Sequence, residues 1–342
     1  MYNSSETKSD LIIEVNDLAK EYRVYDKPEG LWASVRGLFH RKNRIIHALR
    51  GVNLSVGRGE FLAMLGPNGA GKTTFLKLLS GIITPTRGTA RVLGHVPWDR
   101  ADDFRRRFAL VMGQKNQLWW DLPVAESFEL LRSIYRVDPG SHRAMLDELV
   151  VLLDLESILA TPVRQLSLGQ RMRCDLVAAL LHRPRVLFLD EPTIGLDAVS
   201  KLAVRRFIRR LNAEHGVTVL LTTHDMDDVE AVCDRVMVIG RGRLLSDGSM
   251  DDLRRRVSHE RRLIVDLIDP EAEILDPELR VIERVGPRVT LGFDPTRVPT
   301  AELIGRVTAR LAVSDLFVQH PPIEEIIAGL YSMVEAEQEE QS

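Results

Sequence analysis

A chain of 342 residues with 44% hydrophobic content accommodates one large domain with a sizeable core and a smaller second one. Its 46 basic and 49 acidic side chains give a formal charge of -3, which excludes nucleic acid as a bulk electrostatic partner; the runs Arg105-Arg106-Arg107 and Arg254-Arg255-Arg256 have acidic neighbours and read as solvated faces. No window approaches the roughly 18 consecutive apolar residues of a membrane span, so any work at a membrane needs spans from other chains.

Taken in chain order, residues 1–10 are polar, lack the apolar stretch of a secretory signal, and read as a disordered tail. Ile13 and Val15, then Val52, Leu54 and Val56, alternate with polar neighbours at the period of half-buried antiparallel strands. Residues 27–43 interrupt them, with Leu31, Trp32, Val35, Leu38 and Phe39 at helical spacing. A helix packing on its own domain and a docking helix for a membrane partner both fit that insertion.

The apolar run Phe61–Leu65 reads as a strand leading into Gly66-Pro67-Asn68-Gly69-Ala70-Gly71-Lys72-Thr73-Thr74 and then a helix. Glycines let backbone NH groups close around phosphate oxygens, and the helix turns its positive end toward them. Lys72 would neutralise the β- and γ-phosphates, and the Thr73 hydroxyl would ligate Mg²⁺. Residues 101–161 then change to a helical period, through Phe128, Leu130, Leu131 and Ile134 and later Leu146, Leu149, Val150 and Leu153, giving a helical subdomain over about 101–180. Within it, Trp119 and Trp120 do not both fit one core and read as an exposed groove awaiting a partner.

Ser167, followed three residues later by Gln170, forms a capping box. The same helix start offers free NH groups and a hydroxyl to a phosphate, with Gly169 allowing close approach. Asp190 and Glu191 end an apolar strand, where a carboxylate pair is costly without cations or hydrogen bonds. Strands at 217–221, before His224, and at 236–239 complete a mostly parallel, covered sheet, hence an α/β core. Cys174 and Cys233 lack metal-ligand spacing and read as reduced, buried thiols. After Gly248, strands at 263–267 and 289–293 and helices at 301–311 and 323–333 suggest a small α+β accessory domain over 251–334, ending in an acidic tail at 335–342.

The order of phosphate loop, Leu166-Ser167-Leu168-Gly169-Gln170, and strand ending in Asp190-Glu191 resembles the ATP-binding cassette (ABC) family over about residues 11–250. The resemblance implies a P-loop NTPase nucleotide-binding domain with a mostly parallel sheet core, an antiparallel β subdomain and a helical subdomain. It implies ATP and Mg²⁺ as ligands, with Asp190 holding Mg²⁺ through water, Glu191 polarising the attacking water and His224 contacting the γ-phosphate. It implies that Gln114 joins the Mg²⁺ shell and that Tyr22 stacks on adenine, with Tyr25 close enough to leave that choice open. Ser167, Gly169 and Gln170 would complete the ATP site of a second copy in a head-to-tail homodimer, with Asp197 in the interface. Leu168 stands where the family usually has glycine; because Ser167 and Gly169 are retained, catalysis is expected to survive.

In the family, the stretch after Gln114 is where membrane permease subunits dock. With the insertion and the second domain, the chain looks like the ATPase subunits of bacterial ABC type-2 exporters, in a subgroup described as exporting drug-like cations such as viologens. That implies a cytoplasmic ATPase held at the inner face of the membrane by permeases. A soluble ABC ATPase serving an assembly complex remains the alternative. A kinase or GTPase would leave the segment from Ser167 to Gln170 without a role.

Overall fold

A computed structural model describes residues 11–25, 43–113, 115–225, 229, 232–257 and 260–339, so the expected tail at 1–10, the insertion at 27–43 except Asn43, and Gln114 lie outside the described residues. The chain divides between Gly248 and Ser249 into two compact units.

In the first unit β1 (Leu11–Tyr25) and β2 (Asn43–Gly57) pair antiparallel, β3 (Phe61–Leu65) runs into α1 (Lys72–Leu79), and β4 (Arg87–Val92) returns to close the sheet β2-β1-β4. A short α2 (Asp102–Arg105) precedes β5 (Phe108–Met112). Next come α3 (Val124–Tyr135) and α4 (Pro139–Leu152), the latter started by Pro139 and by the Asp138 carboxylate accepting from the Ser141 N–H at 2.9 Å. Then follow α5 (Leu168–Leu180), β6 (Val186–Asp190), α6 (Ala198–His215), β7 (Thr218–Thr223), β8 (Arg235–Gly240) and β9 (Arg243–Gly248).

A six-stranded sheet orders them β5-β6-β7-β3-β8-β9, parallel except for the β8-β9 hairpin. Because side chains alternate across a strand, the two faces feed different cores. Val111, Leu187, Leu189, Val219 and Leu221 meet the helices α3 to α6, whereas Met64, Val186, Phe188, Leu220 and Met237 meet α1 and the antiparallel sheet. Burial on both faces explains why these strands read as continuous apolar runs. Each such fully buried aliphatic or aromatic side chain contributes roughly 1.5–3 kcal/mol.

Two sequence expectations change here. The helical stretch from about 101 contains β5, whose buried positions alternate along five apolar residues, and its long helices begin only at Val124. A run so short and uniformly apolar has no period to separate strand from helix. Cys174 is buried, and burial pushes its thiol up to about 12, but Cys233 is only partly buried.

The second unit contains α7 (Met250–Val257), β10 (Arg261–Leu267), β11 (Arg280–Val285), β12 (Arg288–Phe293), α8 (Thr300–Arg310), β13 (Val313–Gln319) and α9 (Ile323–Glu339). Its antiparallel sheet runs β11-β12-β10-β13. Leu263, Val265, Leu267, Val289, Leu291 and Phe293, at the strand period, bury against Leu303 and Val307 of α8. The acidic stretch from residue 335 continues α9 as far as Glu339, since glutamate and alanine are competent helix formers on a helix already nucleated. Among the described residues no helix is long and apolar enough to cross a membrane.

Candidate active site

Strand β7 lies between β3 and β6, and its register decides which residues meet: Thr222 stands beside Met64 on one side and Asp190 on the other. The loop after β3, Glu191 after β6 and His224 after β7 therefore leave the sheet at one edge, the carboxyl edge where parallel sheets bind ligands. A Cβ on Gly66 would lie 2.3 Å from the Ile239 carbonyl oxygen, and one on Gly71, at φ 111°, would lie 2.5 Å from that of Ala48. Gly71 caps α1 without a side-chain hydrogen bond, and no acidic residue occupies the first turn, so the first-turn NH groups face the loop unopposed.

Lys72 Nζ donates to the carbonyl oxygens of Gly66 at 2.7 Å and Pro67 at 3.3 Å, and stands 3.7 Å from Glu191 Oε1. Burial holds the Lys72 pKa below its usual value, and the Glu191 and Asp190 carboxylates oppose that shift. Thr73 Oγ1 donates to Asp190 Oδ1 at 3.1 Å, and Thr222 Oγ1 donates to the same oxygen at 2.6 Å. That buried carboxylate is thus satisfied by two hydroxyls. Glu191 adopts φ 53°, the left-handed region that a non-glycine residue enters at a cost of order 1–3 kcal/mol. Its N–H donates to the Thr222 carbonyl at 3.0 Å, and its Oε1 lies 3.4 Å from His224 Nδ1. Gly113 N–H donates to the Asp190 carbonyl at 2.8 Å, and a Cβ there would lie 2.1 Å from the Glu191 carbonyl oxygen, so the segment leading to residue 114 is pressed against this pair.

Ser167, Gly169 and Gln170 form a second cluster. Gln170 N–H donates to Ser167 Oγ at 3.2 Å and Ser167 N–H to Gln170 Oε1 at 2.9 Å, the capping box expected from the sequence. A Cβ on Gly169 would stand 2.5 Å from Ser200 Oγ, and one on Gly195 would stand 2.9 Å from Leu168 Cδ2. Asp197 caps α6, accepting from Ser200 N at 2.9 Å and Ser200 Oγ at 2.8 Å, bonds that hold its carboxyl below the usual range. The start of α5 and the loop carrying Asp197 are therefore one packed surface. Tyr22 is partly exposed on β1, opposite Ile46 and under the Lys20 ammonium at 5.3 Å; β2 continues from Ile46 to Ala48, whose carbonyl crowds Gly71. The side chain of Tyr25 lies outside the described residues.

A family model described as ABC transporter matches residues 49–194. The daunorubicin resistance ATP-binding protein DrrA3 of Streptomyces coeruleorubidus is 34% identical over 294 residues, which cover 83% of this chain and 90% of that protein. The chain belongs to the ABC transporter ATP-binding family. The probable multidrug ABC transporter ATP-binding protein YbhF of Escherichia coli is 36% identical over 61% of this chain, which spans only 36% of that longer protein. Among solved structures, the dimeric post-hydrolysis ATP-binding cassette MJ0796 bound to ADP and Pi is 27% identical with a TM-score of 0.58, covering 70% of this chain and 98% of that one. The chain is an ATPase of the ABC fold.

Several contacts of this ABC ATPase were not anticipated from sequence. Thr222 anchors Asp190, but one threonine in a strand with β-branched neighbours carries no separate signal in the sequence. Asp175 is 3% exposed in α5 and accepts from Gln117 N–H at 3.0 Å, tying the segment after residue 114 to the helix that Ser167 begins. An acidic residue amid the apolar face of α5 was its only trace. Trp119 and Trp120 are 37% and 49% exposed, with the Arg171 guanidinium 4.4 Å over the Trp120 ring. A cavity of about 640 Å³ lies elsewhere, lined by Arg58, Leu149, Pro184, His215 and Val217; none of the loop residues 66–74 lines it.

Burial raises the Asp175 carboxyl to about 7 from the 3.8 of an unperturbed aspartate. Between those values the native chain holds a proton that the unfolded chain has released, so stability falls as pH rises through this window. Asp175→Asn is expected to resist that fall: its melting midpoint relative to wild type should climb between about pH 4 and pH 7. Identical pH slopes in both proteins, measured by differential scanning calorimetry, would contradict the assignment.

Proposed function

We propose that this ABC ATPase powers an exporter of drug-like molecules through ATP-dependent head-to-tail dimerisation, coupled to separate membrane permease subunits. The observation that carries the reading is that the site residues fall into two clusters, each held by its own contacts. Lys72, Thr73, Asp190, Glu191 and His224 gather at the sheet edge, while Ser167 and Gly169 pack with Ser200 and Asp197. Two copies related by a two-fold axis would join the first half of each to the second half of the other, closing two equivalent sites. The dimeric MJ0796 cassette supports this arrangement. The drug-resistance and multidrug names of DrrA3 and YbhF support export of such compounds.

In this mechanism the backbone NH groups of Gly66, Asn68, Gly69, Ala70 and Gly71, with those of Thr73 and Thr74, bind the phosphates beside Pro67, Lys72 neutralises them, and Tyr22 stacks on adenine. Thr73 and Asp190 present adjacent hard oxygen donors, which suits a small dication completed by phosphate and water oxygens. They would hold Mg²⁺ together with Gln114, and the ion supplies charge neutralisation on the β- and γ-phosphates. Glu191 accepts a proton from the attacking water, aligned for in-line displacement of the γ-phosphate, and His224 steadies the same Oε1 that Lys72 faces. Ser167, Gly169 and Gln170 of a second copy close over the γ-phosphate, with Asp197 across the interface. Hydrolysis removes the bridging group, and the copies separate.

The exposed Trp119 and Trp120 offer the permease an aromatic anchor, which would place this ATPase at the cytoplasmic face of a membrane. Specific ATPase activity is expected to fall on dilution as the dimer dissociates. Full turnover by a preparation shown to be monomeric by light scattering would exclude the two-copy site. Copurification from detergent with multi-span membrane subunits tests the coupling; recovery only with soluble partners would favour the assembly-type alternative.

A further inference from the structure

His224 is placed by very little of its own. Its side chain is half exposed, and its Nδ1 approaches Glu191 Oε1 at 3.4 Å, too long for a strong hydrogen bond to hold the ring. What is firmly held is the residue on either side. Thr223 ends β7 in the sheet. Asp225 donates its N–H to Thr223 Oγ1 at 2.9 Å, and its carboxylate is gripped at both oxygens: Lys201 Nζ bonds Oδ2, and Arg205 Nη2 bonds Oδ1 at 3.2 Å. The side chains of Asp225, Lys201 and Arg205 are only 20%, 30% and 12% exposed, so the contacts are less screened than an ordinary surface pair.

Lys201 and Arg205 are one helical turn apart on the same face of α6, where two cations repel unless an anion lies between them. The same helix begins at Asp197, whose carboxylate closes its first turn. One rigid element therefore joins the loop of Asp197 to the residue next to His224.

We infer that Lys201 and Arg205 are positioning residues for hydrolysis: by clamping Asp225 to α6 they set the distance from His224 to Glu191. A displacement of the Asp197 end of α6, as dimer closure would produce, is then passed to His224 through this clamp. The inference rests on the roles proposed above for Glu191 and His224, and it adds residues that touch neither nucleotide nor Glu191.

The test uses the full chain as wild type, Lys201→Met, Lys201→Arg, Asp225→Asn and the double variant Lys201→Met/Asp225→Asn. Lys201→Met and Asp225→Asn are expected to lower kcat roughly tenfold to a hundredfold, because small misplacements of a catalytic group have effects of that size. KM and the equilibrium affinity for MgATP should remain within about twofold of wild type, since the phosphate loop is untouched. Lys201→Arg keeps a cation on Asp225 and should restore most of kcat. The double variant should be no slower than Asp225→Asn alone, because that change already removes the anion that both cations grip. Wild-type kcat in both single variants, multiplying effects in the double variant, or no rescue by arginine overturns the clamp. Melting curves confine the comparison to folded protein. Glu191→Gln assayed in parallel separates the two claims: if it turns over normally, the base assignment fails; if it is inactive while the clamp variants are normal, only the clamp fails.

Discussion

Glu191→Gln is expected to lower kcat by about 10²–10⁴-fold, the usual range for loss of a general base, while binding MgATP as tightly as wild type. Glutamine keeps the shape of the side chain and the backbone bond from residue 191 to the Thr222 carbonyl, so the φ of 53° and the packing against Gly113 persist. What it lacks is the charge that takes a proton from water. Removing an anion 3.7 Å from Lys72 also leaves the ammonium freer to meet phosphate, so binding has no electrostatic reason to weaken. With ATP bound and not consumed, the variant should accumulate as a dimer, visible by size-exclusion chromatography with light scattering. Wild-type turnover in a single-turnover assay would remove Glu191 from this role.

Lys72→Ala is expected to act one step earlier, by abolishing nucleotide binding. Lys72 is 5% exposed, with its ammonium on the Gly66 and Pro67 carbonyls and Asp190 and Glu191 nearby. Truncation removes the charge-assisted bonds to phosphate and leaves two carboxylates facing a polyanion without their cation. Losing one partner of a buried charged pair costs about 2–5 kcal/mol, which is at least thirtyfold in Kd. Isothermal titration with MgATP reads this directly, and an unchanged melting midpoint would show that the loop itself survives. Wild-type affinity would contradict the assignment. The two variants thus separate binding from chemistry at residues whose side chains lie within one ion-pair distance.

Much of the chemistry was legible because it is local. A glycine loop opening a helix, a serine bonded to the glutamine three residues on, and a strand ending in two carboxylates are each written within a few consecutive residues, where backbone geometry alone relates the groups. The buried strands are likewise marked by their apolar runs. β5, whose five residues have no usable period, carries no such mark, and neither do β9, β11 and β13. The last two lie at the edges of their sheet, and their mixed exposure erases alternation.

Spacing along one backbone is therefore enough to mark a nucleoside triphosphate site and the residue types for hydrolysis. The folded chain alone brings Thr222 to Asp190 across 32 positions, holds Gly113 against the Glu191 carbonyl so that it must be small, and closes Lys201 and Arg205 on Asp225. Each of those contacts follows from strand order and helix placement. A sheet arranged β6-β7-β3 brings together residues that no local period relates.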